Sequence, residues 1–512
     1  MRKKAGIVYL TGAGPGAINL ATMAGLDVLR RADTVIYDHL VNPGLLRLAP
    51  PGAELIYAGK TGGGEISIEQ ARLNRMLIEH ARKGRVVVRL KGGDPFIFGR
   101  GGEEAEALAG AGIPYEVIPG VTSAIAAPAY AGIPLTHREY GSFVAFVTGH
   151  EDEKKGRHLA TPWRELATAA KAGRGTIVIL MGTRRMRESL EKLKAAGLPP
   201  NTPAAAIQQA TSAGQKTVTG TLANLAEQCV QARLQSPAVI VIGKCAALRE
   251  KLKWAERMPL FGRRIVVTRA GEQAARFAAE LRAMGAEAIE FPVIEIAPPA
   301  SYAILDRAIA RLGSIDWIIF TSATGVERFF DRLKKLGRDI REIGTAKIAA
   351  IGPATSNRVR DFGLKIAAMP REYRAEALIP AIGPKRIRGA RILIPRAAVA
   401  RDILPKSLRA MGAREVLVAP AYRTIKPKNA APGPIRALIA EKAIDLVTFT
   451  SSSTVENFAA LLRMPVKGIK AAAIGPITAA TARRYGFKVV VQPRDYTTET
   501  LIASIDGYFR RK

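Results

Sequence analysis

Histidine and cysteine are scarce in this chain, and neither occurs in its second half. The five histidines (39, 80, 137, 150 and 158) and the two cysteines, Cys229 and Cys245, all lie within the first 245 of 512 residues. Beyond them, imidazole and thiolate catalysis is excluded, as are metal sites built on those ligands. Two cysteines make no disulfide framework, so a reducing compartment is expected, with both thiols as small core residues. No histidine has metal-ligand spacing with the cysteines, and His80, in mid-helix, reads as structural. Aromatic residues make up only 6%, with three Trp, which is thin for stacking single-stranded nucleic acid. No run of about eighteen apolar residues occurs, so no membrane span is expected. The apolar run 7–10 behind the basic Met1-Arg-Lys-Lys4 is too short for a secretory signal. A soluble, cytoplasmic protein is the expectation. Acidic residues are also few: Asp and Glu number 44 against 77 Lys and Arg, a formal net charge of +33. That balance implies an anionic partner, whether nucleic acid, anionic lipid, or a polycarboxylate or phosphate substrate. The positive charge is spread along the chain, without one dominant block.

What is present suggests several α/β units. At 48% hydrophobic, 512 residues can bury two to four cores. Over the first 240 residues or so, short apolar strands alternate with helical patterns. Strands are expected at 7–10, 34–38, 54–58, 86–90, 115–118, 143–148, 176–180, 204–208 and 239–242. The densest stretch is Arg89-Leu-Lys-Gly-Gly-Asp-Pro-Phe-Ile-Phe-Gly-Arg-Gly-Gly-Glu-Glu104. Five glycines in sixteen residues suit a loop where backbone approaches a ligand, and poorly suit an element interior. Its cations Arg89, Lys91 and Arg100 are candidates to hold an anion, and Asp94 is an acceptor. Thr11-Gly-Ala-Gly-Pro-Gly16 is a second glycine-rich turn, but it is not GxGxxG, and Pro15 removes a donor from any phosphate cradle. Asp38 ends a strand, where open α/β sheets place ligands; it is a general base or a turn cap. Lys60, beside four glycines, meets an anion or stands exposed. Thr122 and Ser123 open a helix and are caps by default, ligand contacts otherwise.

Together these motifs, with Gly132-Ile-Pro-Leu-Thr-His-Arg138 and Val147-Thr-Gly-His150, resemble uroporphyrinogen-III C-methyltransferases, a branch of the tetrapyrrole methylases, over about residues 5–245. The resemblance implies two αβα lobes with S-adenosylmethionine (SAM) between them, distinct from a Rossmann fold. It implies that Pro15, Gly92, Gly93, Asp94, Ile97, Thr122, Ser123, Met181 and Ala210 line the SAM site. It places the proton acceptor and donor at Asp38 and Lys60, and implies a homodimer formed through this half. The substrate carries eight carboxylates, for which Arg89, Lys91, Arg100, Arg138 and His150 are candidates, arginine being favoured for bidentate contact. Departures occur: Ala17-Ile18 stand where the family often has Asp-Pro, Thr61 where it usually has arginine, with the histidine further on missing, and Ala210 where it usually has glycine.

A charged segment, 247–262, reads as a short helix and linker. The remainder, 263–512, repeats itself. Arg264-Ile-Val-Val-Thr-Arg269 returns as Arg391-Ile-Leu-Ile-Pro-Arg396, and Phe320-Thr-Ser322 as Phe449-Thr-Ser451. Ala349-Ala-Ile-Gly-Pro353 returns as Ala472-Ala-Ile-Gly-Pro476, in the same order. Two related α/β lobes follow. The Thr-Ser pairs and Gly-Pro turns open helices, whose N-termini cap themselves or jointly meet an anion. In order and spacing this half resembles uroporphyrinogen-III synthases. That implies two flavodoxin-like lobes, about 263–297 plus 421–512 and about 298–420, and no cofactor. Thr321, Ser322, Thr450, Ser451 and Gly475 are expected binders. Tyr422 matches a tyrosine implicated in the family and either donates a proton to a leaving hydroxyl or caps a hinge. The resemblances imply a bifunctional α/β enzyme taking hydroxymethylbilane to uroporphyrinogen III and, by two methylations, to precorrin-2, toward sirohaem or cobalamin. The alternatives are another tetrapyrrole methylase with an inactive synthase-like half, or an RNA-binding or RNA-modifying protein, which charge alone favours and the scarce aromatics oppose. No metal, nucleic acid or membrane partner is expected.

Overall fold

The computed structural model describes residues 6–59, 69–149, 161–171, 175–372, 377–400, 402–427 and 431–511. Lys60 and His150 lie outside the described residues. Four five-stranded sheets succeed one another. The first contains β1 (Ile7–Gly12), β2 (Thr34–Tyr37), β3 (Glu54–Tyr57), β4 (Val86–Lys91) and β5 (Tyr115–Ile118). All are parallel, in the order β3-β2-β4-β1-β5. That is not the Rossmann order. A parallel sheet is covered on both faces, so its central strands are apolar on both. Val88 and Leu90 of β4 face the helix Met23–Leu29, while Val87 joins Leu73, Leu77, Ala105 and Leu108 on the other face. Side chains alternate along a strand, so Arg89 and Lys91 share the face of Val87. They lie beneath the helices Gln70–Arg82 and Gly101–Gly110.

The second sheet holds β6 (Phe143–Thr148), β7 (Gly175–Leu180), β8 (Pro203–Gln208), β9 (Lys216–Thr221) and β10 (Ala238–Ile242), in the order β6-β7-β10-β8-β9. Simple βα alternation was the expectation here. Instead β10 runs antiparallel to β7 and β8, and β8 and β9 form a hairpin. The sequence Lys-Thr-Val-Thr-Gly-Thr of β9 gives no hydrophobic signal because it is an edge strand burying only Val218. Residues 209–215, which carry Ala210, are therefore a hairpin tip. The helix Ser123–Tyr130 leaves the first sheet and packs Ala124 and Ala127 on Val178, Ala205 and Val241 of the second.

The linker is a packed element. Trp254 donates its indole N–H to the Ala129 carbonyl at 2.9 Å, and its ring packs tilted against Tyr130 with centroids 5.1 Å apart. Leu260 is buried in the core of the unit that follows.

The third sheet contains β11 (Arg264–Val267), β12 (Glu287–Glu290), β18 (Leu446–Phe449), β19 (Lys470–Ala473) and β20 (Lys488–Val491), parallel in the order β12-β11-β18-β19-β20. Between β12 and β18 the chain builds the fourth sheet. Its strands are β13 (Glu295–Ala297), β14 (Trp317–Phe320), β15 (Lys347–Ala350), β16 (Arg391–Ala397) and β17 (Glu415–Ile425), ordered β13-β17-β16-β14-β15. The two crossing segments pair with each other, Glu295 opposite Ile425, antiparallel. The inner lobe thus reaches 295 and 425, a few residues beyond the expected 298–420. Both sheets have flavodoxin-like order, β13 being an added edge.

Candidate functional site

In the first half, the loops leaving β1, β4 and β5 touch at main-chain distance. A Cβ on Gly12 would sit 2.4 Å from Gly120 Cα, and one on Gly120 would sit 2.2 Å from the Gly93 carbonyl oxygen. Only hydrogen fits at either position. Gly14 N–H donates to Gly93 O at 3.2 Å, and Gly93 N–H returns a bond to Gly14 O at 2.8 Å. Asp94 pins this floor. Its Oδ1 accepts from the N–H groups of Phe96 and Ile97 at 2.8 and 3.1 Å, and its Oδ2 from Gly120 N–H at 2.9 Å. Thr122 accepts from Ala124 N–H at 3.3 Å and caps the helix that Ser123 begins. Asp38 borders the floor: Oδ2 accepts from Gly92 N–H at 3.2 Å and Oδ1 from Leu40 N–H at 3.1 Å.

The second lobe closes on this edge. Ala17 N–H donates to Thr211 Oγ1 at 3.0 Å, and a Cβ on Gly16 would lie 3.5 Å from the Ala210 carbonyl oxygen. Pro15 and Ala210, 195 positions apart in the sequence, therefore belong to one place. Met181 follows β7 in a left-handed conformation, φ 54°, with its side chain 55% exposed. Ile97 is also exposed, at 38%. Thr211, which the sequence reading passed over, is the residue that ties the two lobes here. Its only signal is proximity to Ala210.

Arg89 and Lys91 were expected at the substrate, and the structure corrects both. Each is only 4% exposed, and Glu104, at 0%, lies between them, 2.8 Å from Lys91 Nζ and 3.3 Å from Arg89 Nε. Arg89 also donates to the carbonyls of Ile36 and Leu90. Their strand face turns them inward, away from the loop. Burial, then Arg89, holds the Lys91 ammonium below its ordinary pKa, with Glu104 opposing. Arg100 is exposed and ion-paired with Glu103 at 2.7 Å. Arg138 stands exposed on the loop after Ile133.

In the second half, Ser322 caps the helix Ala323–Lys335 by accepting from Gly325 N–H at 3.0 Å, and its Oγ lies 3.1 Å from Tyr422 OH. Burial raises the Tyr422 pKa, and the Ser322 bond works against that. Thr321 precedes Ser322 at the end of β14. Thr450 and Ser451 follow β18 in the outer lobe, where Ser451 and Thr454 form a capping box. Gly475 begins the next helix beside the ring of Tyr496, 3.3 Å from a Cβ placed there. The structure thus joins Ser322 to Tyr422, and places Thr450, Ser451 and Gly475 together at the strand ends of the other sheet. Among the described residues no group of His, Cys, Asp and Glu could hold a metal ion. No described helix is long and apolar enough to cross a membrane.

Residues 7–226 match the tetrapyrrole (corrin/porphyrin) methylases, and residues 275–503 match the uroporphyrinogen-III synthase HemD family. The porphyrin biosynthesis protein HemD of Ruminiclostridium josui is 37% identical over 498 residues, 97% of each chain. The chain belongs to the fused tetrapyrrole methylase and uroporphyrinogen-III synthase family. A uroporphyrinogen-III C-methyltransferase of Bacillus subtilis is 38% identical over 72% of this chain and 74% of its own. Among solved structures, the Thermus thermophilus uroporphyrin-III C-methyl transferase complexed with S-adenosyl homocysteine is 36% identical, with a TM-score of 0.40. It covers 48% of this chain and 100% of its own. The glycine floor, Asp38 and the Ala210 tip belong to the methylase half, and the Ser322–Tyr422 pair to the synthase half. Both halves are those of tetrapyrrole biosynthesis enzymes.

Proposed function

We propose that this chain converts hydroxymethylbilane to precorrin-2 in two stages, toward sirohaem or cobalamin. The synthase half would close the bilane to uroporphyrinogen III with inversion of ring D. The methylase half would then transfer two methyl groups from SAM. The observation that carries this reading is the meeting of loop 12–16 with Ala210 and Thr211 over a glycine floor. It supports an adenosine-bearing ligand: the glycines leave the main chain without side-chain cover, and Met181 and Ile97 offer exposed apolar surface to its faces. Pro15, Gly92, Gly93, Asp94, Ile97, Thr122, Ser123, Met181 and Ala210 would hold it, with Asp94 acting through the loop it pins. When bound, SAM supplies an electrophilic methyl group on sulfonium.

The remaining work falls to this chain's residues. The glycines let the reactants align, which is most of what an S_N2 methyl transfer needs. A reduced pyrrole carbon is the substrate nucleophile that these loops would hold in line with the methyl group. Asp38 then accepts the proton that carbon loses, with Lys60 as the paired donor that the family suggests. Arg100 and Arg138, both exposed, would meet substrate carboxylates. In the synthase half, Tyr422 gives its proton to the departing hydroxyl oxygen, which leaves as water with the C–O electron pair.

The test is to supply purified protein with hydroxymethylbilane, with and without SAM. Uroporphyrinogen III without SAM and a dimethylated product with it are expected. Formation of the type I isomer alone would remove the synthase assignment, and failure to methylate added uroporphyrinogen III would remove the methylase one. Tyr422→Phe should slow type III formation by about 10²-fold and leave methyl transfer unchanged. Because burial raises the Tyr422 pKa above 10.0, cyclisation should not decline through its ionisation at neutral or mildly alkaline pH.

A further inference from the structure

The synthase half backs the methylase site with one strand. The Ala213 N–H donates to Glu287 Oε2 at 2.9 Å, and the same oxygen accepts from Arg264 Nη2 at 2.9 Å. Ala213 belongs to the hairpin tip 209–215, the loop that offers Ala210 and Thr211 to Gly16 and Ala17. That tip is strained: Gln209 and Thr211 are non-glycine residues at φ 43° and 67°. Such conformations are costly for residues with a side chain and persist only where neighbours hold them. Inside the methylase half, Gln215 is the brace, accepting from Thr211 N–H at 2.9 Å and donating to the Tyr130 carbonyl at 3.1 Å. Glu287 supplies the outer brace, a charge-assisted bond.

An electrostatic link runs alongside it. Arg47 is exposed, and the charges of Glu290 and Arg282 act on it across the junction between the halves. It caps the helix Pro43–Leu46, whose N-cap Asn42 donates to the Gly16 carbonyl at 2.7 Å. The Thr211 side of Gly16 is thus supported from β12, an edge strand of the synthase.

We infer that Glu287 is a positioning residue for the methyl-donor site, so that docking of the synthase half sets the donor affinity of the methylase half. The inference rests on reading the glycine-floored slot as that donor site. Glu287 begins β12 opposite Arg264, at the amino end of a parallel sheet. The synthase candidates Thr450, Ser451 and Gly475 lie at the carboxyl end, so a change at Glu287 leaves them alone.

The test measures S-adenosylhomocysteine binding to the full chain by calorimetry, with synthase turnover measured alongside. Glu287→Ala should raise the dissociation constant about fivefold and raise KM for SAM with little change in kcat. Glu287→Gln keeps an acceptor for Ala213 N–H and should bind close to wild type. Synthase turnover should be unchanged in both. Wild-type affinity in Glu287→Ala would overturn the inference. Absence of binding in the wild-type protein would overturn the donor-site reading instead. If Glu287→Ala loses synthase turnover, its fold is damaged, and Glu287→Asp, whose shorter side chain withdraws the acceptor from Ala213 while keeping a charge beside Arg264, is measured in its place with the same expectation and the same overturning result.

Discussion

Glu104→Ala should destabilise the first lobe by about 3–5 kcal/mol, the usual consequence of stripping one partner from a buried ion cluster. Glu104 is fully buried, and its Oε1 is shared by Lys91 and Arg89. With Asp38, whose Oδ2 lies 4.0 Å from Arg89 Nη2, the cluster holds two positive and two negative groups. Removing Glu104 leaves two cations beneath the sheet. Arg89 cannot shed its charge. Lys91 can, because burial and Arg89 already hold its pKa below the ordinary 10.5. The pH dependence follows. An ammonium whose folded pKa is depressed binds fewer protons when folded than when unfolded, so stability rises as pH climbs from the folded value toward 10.5. The deficit of Glu104→Ala should therefore shrink as pH rises toward 10.5. Urea unfolding, followed by hydrogen exchange in β4, measures both quantities. A variant as stable as wild type at neutral pH would show that the cluster does not hold the lobe together. Glu104→Gln, which keeps an acceptor, should lose less.

Methyl transfer should fall about 10³-fold in Asp38→Ala, as expected for loss of a general base, with cyclisation untouched. Alanine removes the base and also the acceptor of Gly92 N–H, so SAM binding should weaken as well. Asp38→Asn separates the two roles. Its amide oxygen can still accept from Gly92 N–H, so S-adenosylhomocysteine should bind as in wild type while kcat stays low. Full-speed methylation by Asp38→Asn would remove Asp38 from the chemistry.

Strand positions in the first lobe could be read from the sequence because parallel strands are apolar on both faces and punctuated by glycine. The repeat in the second half could be read because Arg264 and Arg391, and Phe320 and Phe449, open and close corresponding strands. Three features were not legible in this way. β9 is polar and lies at an edge, so the hairpin tip carrying Ala210 was hidden. Arg89 and Lys91 read as loop cations because they border the glycines, yet the two-residue alternation from Val87 already assigns them to the inward face. Glu104, their partner, stands at the end of the same motif. The bond from Ala213 to Glu287 has no local signature, since it joins a loop of one folding unit to a strand of another 74 residues away.

The inner synthase lobe is a continuous stretch of chain, whereas the outer lobe is assembled around it: β11 pairs with β18, with Ile265 opposite Leu446. As the chain leaves the ribosome, β11 and β12 must wait some 180 residues for their central neighbour. The inner lobe can form its own sheet during that wait, since all its strands lie between 295 and 425. Synthesis should therefore yield the lobes in the order methylase, inner, outer. A ribosome stalled before β18 would hold a protein whose methylase half is complete while Glu287 has an unfinished sheet behind it.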